Sequence, residues 1–226
     1  TYLTPAVVGM LVLVFIPFLL GIALAFTRYQ EGDYTWVGLA NFVSILSNEG
    51  LSISHPLSFY FTLGVTILWT AVNVFFHASI GLLLALLLNR PDFKFKAVYR
   101  VLLIIPWAVP SYITALVWHG MFDSTDGLIN ACISAVGLAK IPWFDHFWSG
   151  FSANVITNTW LGFPFMMVVS LGALQSIPKD LYEAAEVDGA TRWQAFWRIT
   201  VPMLRPALMP AIILGAVWTF NMFNVI

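Results

Sequence analysis

Charged residues are scarce in this sequence. Asp, Glu, Lys and Arg together make up 9% of its 226 residues, whereas 60% of the residues are hydrophobic. Globular domains that live in water carry about 25% charged residues, so this composition excludes an ordinary soluble domain. We therefore expect most of the chain to contact lipid.

Cysteine and clustered positive charge are also lacking. Cys132 is the single cysteine, which excludes an intrachain disulfide, and no Cys or His cluster has the spacing of a zinc site. The 10 Lys and Arg are balanced by 11 Asp and Glu, so no basic face of the kind that binds nucleic acid is expected. The sequence predicts no metal, no cofactor and no nucleic-acid partner.

Catalytic and energy-coupling motifs are missing as well. No Gly-x-x-x-x-Gly-Lys-Ser/Thr segment occurs, so the chain is not expected to hydrolyse nucleotide itself. The ionisable side chains within the predicted spans are His77 and His119, and we interpret both as helix-packing or interfacial residues. The chain is predicted not to be an enzyme, and energy for active transport would have to come from another protein.

Long apolar runs dominate what remains. Five runs contain no Asp, Glu, Lys or Arg: 1–27, 50–89, 101–122, 146–178 and 206–226. Each reaches the roughly 20 residues with which a helix crosses a bilayer, whereas a membrane barrel would show alternating polarity. We predict an all-α, polytopic membrane helical bundle that forms one domain over 1–226. The third run contains Pro106 and Pro110, which predict a kink.

The positive charges predict the orientation. Eight of the 10 Lys and Arg fall in two loops, around 90–100 and 179–205, which we assign to the cytoplasm. The N-terminus is then cytoplasmic, and the first run is too long for a signal-peptide core. The predicted spans are 5–26, 58–89, 101–121, 151–177 and 207–226. Because this count is odd, we expect at least a sixth span beyond the fragment.

The second of these cytoplasmic loops is long enough to fold. Asp180 and Glu183 form a capping-box pattern, and Gly189 stands where a left-handed helix cap is favoured. Thr191 and Gln194 repeat the capping-box pattern for a second helix, which Pro202 is expected to end. One face of this second helix is aromatic, with Trp193, Phe196 and Trp197. Such a helical pair docks on a partner or lies on the membrane surface, and the pattern favours neither.

The same loop carries a family resemblance. The segment Glu183-Ala184-Ala185, then Gly189, then Ile199-Thr200-Val201-Pro202 resembles the EAA loop of permease subunits of binding-protein-dependent ABC importers. Val201 replaces the Leu that is usual in the family. The segments 160–165 and 171–178 are similar to the sugar-importer branch, especially to maltose-type permeases.

This resemblance implies a fold, a location and partners. It implies a type I ABC importer permease in the bacterial inner membrane, which works with two ATPase subunits, a second homologous permease and an extracytoplasmic solute-binding protein. It also implies that the first helix of the EAA loop, within 178–202, contacts an ATPase subunit. The ATPase-coupling residues would be Glu183, Ala184, Ala185, Asp188 and Gly189.

A substrate path is expected in the fourth and fifth spans. Gly162 and Pro164 lie close together in the fourth span and predict a broken helix that lines a cavity. Neutral sugars are bound through aromatic faces and uncharged polar groups, which both spans supply. In maltose-type permeases these stretches line the sugar site, and Phe165 stands where that pattern has Tyr. The predicted substrate-binding residues are Trp160, Gly162, Phe165, Trp218 and Asn221.

Other functions are compatible with parts of the sequence. The same architecture could carry another neutral solute or a polyol phosphate, although the spans hold no Lys or Arg for a phosphate. A secondary transporter or channel predicts charged residues or inverted repeats in the spans, and neither is visible. An assembly scaffold without a transport path is opposed only by the Gly162 to Pro164 pattern.

Overall fold

The computed structural model describes residues 2–222 and is predominantly helical. The helices are α1 (Thr4–Ala25), α2 (Ala40–Ser47), α3 (Phe59–Asn89), α4 (Lys96–Ala108), α5 (Ser111–Met121), α6 (Leu128–Ala135), α7 (Phe147–Gln175), α8 (Asp180–Val187) and α9 (Arg192–Phe220). A short hairpin of β1 (Thr27–Gln30) and β2 (Asp33–Trp36) and a 3₁₀ turn (Asn48–Gly50) complete the described elements. The all-α polytopic prediction is confirmed.

Four helices of the described chain are long and apolar enough to cross a membrane, namely α1, α3, α7 and α9. The pair α4 and α5 passes the same test as a fifth, bent span. Residues 223–226, which the sequence places in the last span, lie outside the described residues.

The chain divides into two compact units, Thr1–Val65 and Thr66–Ile226. The single domain stays a prediction.

The predicted kink in the third span is a full break. Helices α4 and α5 meet at 94°, and Val109 between them is extended with φ −83° and ψ 133°. Pro110 causes this, because its ring disfavours a helical conformation of the preceding residue and it lacks an N–H. Pro106, one turn earlier, is accommodated inside α4. The break turns the chain beside α7.

Helix α9 corrects the expectation that Pro202 ends the second loop helix. The helix runs without interruption from Arg192 to Phe220 and passes Pro202, Pro206 and Pro210. A π-helical turn, Phe196–Thr200, ends two residues before Pro202. The wider turn relieves the clash of a proline ring with the carbonyl one turn back, so the helix continues. The loop helix and the last span are one element.

The hairpin in the first unit was not predicted. Strands β1 and β2 are antiparallel with Thr27 opposite Trp36, and Glu31 and Gly32 between them both have positive φ. Two such residues make the tight turn that suits hairpin twist. Asn41 of α2 donates from Nδ2 to the carbonyls of Ala25 and Thr27 at 3.0 and 2.9 Å, which links the end of α1 to the hairpin.

Helix α7 is the centre of the second unit. Its buried residues occur on all sides, and α4, α5 and α9 pack against it. Helix α3 contacts it through Gly81 and His77. Helix α3 contributes one stripe with a spacing of four residues for most of its length: Trp69, Asn73, His77, Gly81, Ala85 and Leu88. Small and polar residues in this stripe let two helix backbones approach closely.

The loop after α5 is ordered by Asp123. Its carboxylate accepts hydrogen bonds from the backbone N–H of Asp126 at 2.9 Å and from the hydroxyl and N–H of Thr125 at 2.7 and 2.8 Å. These bonds favour the ionised form and lower the pKa of Asp123 from 3.8 to about 2, with the Asp126 N–H as the largest cause. The loop therefore depends on a charged Asp123.

This pKa shift predicts a pH dependence of the loop. Because the folded pKa lies below the unfolded value, the contribution of Asp123 is complete above about pH 4 and is lost as the pH falls towards 2. Hydrogen exchange of residues 123–127 in wild type should stay slow down to about pH 3. Asp123→Ala should exchange faster throughout, whereas Asp145→Ala, elsewhere in the segment between α5 and α7, is the control. Equal exchange in Asp123→Ala and wild type would contradict this role.

Candidate functional site

A cavity of about 390 Å³ lies in the second unit, where α3, α7 and α9 approach the break between α4 and α5. The residues that line it are His77, Trp107, Ala108, Val109, Pro110, Ser111, Asn158, Leu161, Gly162, Phe165, Met166, Gly215, Trp218, Thr219 and Met222. This described lining contains no carboxylate, Lys or Arg. Its chemistry is aromatic, apolar and neutral polar, which is suited to an uncharged ligand.

Three aromatic side chains form one wall of the cavity. The ring of Phe165 on α7 lies 5.3 Å from that of Trp218 on α9 and 6.2 Å from that of Trp107 at the end of α4. Both pairs are tilted, at 57° and 40°, which suits the quadrupoles of the rings. The break at Val109 and Pro110 brings Trp107 to this wall. The apolar C–H face of a sugar can stack on such rings.

Helix α7 corrects the prediction of a broken helix at Gly162 to Pro164. It is helical throughout Phe147–Gln175, and Pro164 lies inside it and is buried. Gly162 serves another purpose, because a Cβ at this position would collide with the imidazole ring of His77 on α3. The glycine lets the ring lie against the α7 backbone. The cavity is formed by helix packing and not by a broken α7.

Two buried polar residues meet at this contact. His77 donates from Nε2 to the backbone carbonyl of Asn158 at 2.9 Å, so the helix-packing role predicted for His77 is what the structure shows. The side-chain Nδ2 of Asn158 is buried and has no hydrogen-bond partner among the described residues. An unpaired buried amide at a cavity wall is a donor for a ligand hydroxyl. Sequence reasoning missed Asn158, although an Asn within an apolar span was a usable signal.

The structure brings some of the predicted substrate-binding residues together and leaves others aside. Gly162, Phe165 and Trp218 line the cavity. Trp160 packs against Trp118 of α5, with ring centroids 5.9 Å apart, outside the described lining. Asn221 follows the end of α9 and donates from Nδ2 to the carbonyl of Val217 at 2.8 Å, also outside it. Their contact with a substrate stays a prediction.

The EAA loop has the predicted two helices with one difference at its start. Helix α8 begins after Lys179, and no side chain caps it, so the capping box of Asp180 and Glu183 is wrong. Asp180 is already helical, which removes it from the cap position. The other end matches the prediction: Gly189 has φ 74°, and the N–H of Ala190 donates to the carbonyl of Ala185 at 2.8 Å.

The predicted coupling residues lie on this short helix and its cap. Glu183, Ala184, Asp188 and Gly189 are exposed, and Ala185 is half-buried. The second capping box is confirmed, because Thr191 accepts from the N–H of Gln194 and the Gln194 side chain accepts from the N–H of Thr191. The three aromatic rings after it contact one another, and Trp193 is 70% exposed.

One side-chain contact joins α8 to α9. The hydroxyls of Tyr182 and Thr200 are 2.9 Å apart, and Thr200, in the π turn of α9, is buried. Tyr182 also packs against the buried cluster that contains Ile177 and Leu204. This contact connects α8 to α9, which forms part of the cavity. Sequence reasoning missed Tyr182, since nothing in the pattern pairs positions 182 and 200.

We expect Tyr182→Phe to weaken this connection. The ring stays and the hydroxyl is lost, which removes one hydrogen bond worth about 1 kcal/mol and leaves the Thr200 hydroxyl without this partner. If this loop couples to an ATPase, as its resemblance to the EAA loop implies, ATP-driven transport should fall a few-fold while the amount of membrane protein is unchanged. Thr200→Val should have a similar effect, and the double variant should be no worse than either. Additive losses would show that the two hydroxyls act independently.

Known proteins are similar to this chain in sequence and in fold. The profile of the family described as "binding-protein-dependent transport system inner membrane component" matches residues 77–226. The chain belongs to this family. The match covers all the residues that line the cavity and the EAA loop, and membership agrees with the resemblance found in that loop. The chain is accordingly a multi-pass membrane protein.

Two curated relatives are oligosaccharide permeases. The chain is 37% identical to the galactooligosaccharides transport system permease protein GanP of Bacillus subtilis (strain 168) over 98% of this chain and 54% of that protein. It is 40% identical to the maltose/maltodextrin transport system permease protein MalF of Escherichia coli (strain K12) over 88% of this chain and 38% of that protein. The chain thus spans about half or less of the length of these relatives.

A solved structure confirms the fold. A chain from a bacterial ABC transporter involved in the import of the acidic polysaccharide alginate superimposes with a TM-score of 0.80. The alignment covers 98% of this chain and 72% of that chain, at 24% sequence identity. The importer-permease fold predicted from the EAA loop is therefore present.

Proposed function

We propose that this chain is the transmembrane permease subunit of an ATP-driven importer for a neutral oligosaccharide. The observation that carries the proposal is the cavity, whose described lining joins an aromatic wall to the unpaired Asn158 amide and contains no carboxylate, Lys or Arg. Family membership and relatives named for galactooligosaccharide and maltodextrin transport support it. A catalytic role is not part of the proposal.

The lining argues for a neutral sugar over an acidic one. The structural neighbour is named for acidic alginate, whose carboxylates require cationic or strong donor groups. The cavity here offers aromatic rings and the one side-chain amide of Asn158, so uronic acids would be desolvated without compensation. The same argument disfavours a polyol phosphate.

The proposed complex contains two ATPase subunits, a second homologous permease and an extracytoplasmic solute-binding protein. Helix α8 would sit on an ATPase subunit through Glu183, Ala184, Ala185, Asp188 and Gly189. The N-terminus would then be cytoplasmic in a bacterial inner membrane, as the Lys and Arg distribution predicts. Closure of the ATPase pair would move α8, and the Tyr182–Thr200 contact would pass that movement to α9 and the cavity.

Vesicle uptake tests this function. The complex that co-purifies with the full chain is reconstituted with its solute-binding protein, and radiolabelled maltotriose, galactotriose and a trimer of guluronate are offered with ATP or a non-hydrolysable analogue. We expect ATP-dependent uptake of a neutral trisaccharide and none of the uronate. Uptake that proceeds without ATP hydrolysis would favour a secondary transporter or channel instead. Uptake of the uronate alone would overturn the neutral-sugar assignment.

A further inference from the structure

Three glycines on three helices lie at close contacts in and beside the cavity. Gly162 on α7 faces the ring of His77, and Gly81 on α3 faces α7 at Met166 and Met167. Gly215 on α9 faces Met166 as well. Met166 therefore lies between two glycines that belong to two different helices, and it is also a lining residue of the cavity.

The two contacts of Met166 differ in what they can tolerate. A Cβ at Gly81 would lie 2.7 Å from the Met166 Cβ and 2.7 Å from the Met167 backbone nitrogen, and neither atom can move without moving α7. A Cβ at Gly215 would lie 2.9 Å from the Met166 Cε, the free end of the side chain. The base of this side chain is fixed and its tip is adjustable.

The cavity gives the adjustable tip room to move. Met166 is 1% exposed, so its surroundings are packed, and the open volume next to it is the cavity that it lines together with Gly215. Methionine has three rotatable side-chain bonds and changes its shape at low cost. A side chain at position 215 would displace the thioether into the cavity and reduce the volume that is open to a ligand.

We infer that Met166 and Gly215 together determine the size of sugar that the cavity accepts. The thioether of Met166 is the movable part of the wall, and the absence of a side chain at position 215 keeps it withdrawn. This inference rests on the proposed function, because it requires that the cavity receives the sugar. It assigns size selectivity to a pair of residues with no polar group, separate from the aromatic wall and from Asn158.

The test compares a large and a small sugar within each variant. Reconstituted complexes take up radiolabelled disaccharide and tetrasaccharide from the neutral series that wild type transports, maltose or galactose based. The ratio of tetrasaccharide to disaccharide uptake cancels differences in protein amount, and the solute-binding protein is the same throughout. The variants are Gly215→Ala, Met166→Ala and the double variant, with Gly172→Ala on α7 as control, since its Cβ would meet no atom within 4 Å.

Gly215→Ala should lower this ratio about tenfold, the discrimination that one methyl group gives in a fitted apolar pocket. Met166→Ala should have a ratio equal to or above that of wild type. The double variant should recover most of the ratio lost in Gly215→Ala, because the displaced thioether is gone. Gly172→Ala should match wild type. Recovery in the double variant distinguishes displacement of Met166 from general damage by the added methyl group.

Two results would overturn the inference. An unchanged ratio in assembled Gly215→Ala would show that the thioether does not enter the sugar path. Failure of Gly215→Ala to assemble would show that the Met166 tip cannot yield, contrary to the geometry. If wild type takes up neither sugar series, the proposed function itself is wrong, and that result is recognised before any variant is compared.

Discussion

Replacing Gly162 by alanine should remove most of the assembled protein from the membrane. The added Cβ would overlap the imidazole ring of His77, which is held by its hydrogen bond to the Asn158 carbonyl and is buried on α3. Unlike the flexible tip of Met166, this ring is rigid, and turning it away from the α7 backbone would break the bond to the Asn158 carbonyl. Overpacking of this kind costs about 3 kcal/mol or more, comparable to a large part of a protein's net stability.

The measurement is the yield and melting temperature of the detergent-solubilised complex by fluorescence-detected gel filtration. Gly172→Ala is the matched control, because it adds the same methyl group to the same helix where nothing lies within 4 Å. His77→Ala combined with Gly162→Ala should recover yield relative to Gly162→Ala alone, since the colliding ring is removed. Wild-type yield and melting of Gly162→Ala would refute the close contact of α3 and α7.

Replacing Gly189 by valine should uncouple ATP hydrolysis from transport. Gly189 has φ 74° at the end of α8, and a Cβ there would meet no atom within 4 Å, so any effect arises from the backbone alone. A β-branched residue in this conformation costs about 1–3 kcal/mol, enough to shift α8 out of its capped geometry in a large fraction of molecules. Transport should fall about tenfold or more while the complex still assembles.

Asparagine at the same position is the informative control, because it enters the left-handed region more readily than other residues with a side chain. Gly189→Asn should therefore transport close to wild type, although it is larger than glycine and polar. ATPase activity and uptake are measured on the same vesicles. Equal uptake in Gly189→Val and Gly189→Asn would show that the positive φ does not matter. Equal loss in both would point to a steric contact at this site.

Several elements could be predicted from the sequence because their signals are local. Apolar runs of sufficient length predicted the four spans of the described chain and the bent pair α4 and α5. The cap of α8 at Gly189 and the capping box of Thr191 and Gln194 follow from a few neighbouring residues. The failures were local too. Pro202 and Pro164 predict interruptions only if the surrounding helix cannot adapt, and the π turn before Pro202 and the packing around Pro164 allowed both helices to continue.

The candidate site was predictable only in part. Phe165, Gly162 and Trp218 were identified, but Gly162 was given the wrong structural reason, and Asn158 and Tyr182 were missed. These residues act through partners that are distant in the sequence, such as His77 for Gly162 and Thr200 for Tyr182. The spacing of residues within one segment does not show which side chain of another helix will contact a given residue.

The sequence by itself determined that this protein crosses the membrane several times, and it located the two helices of the EAA loop, because hydropathy and capping depend on residues a few positions apart. Only the tertiary structure decided that α3, α7 and α9 enclose a neutral aromatic cavity at the break between α4 and α5. Close approach of helices depends on which small residue meets which large one across their surfaces. That pairing, seen at Gly162 with His77 and at Gly215 with Met166, exists only once the helices are packed.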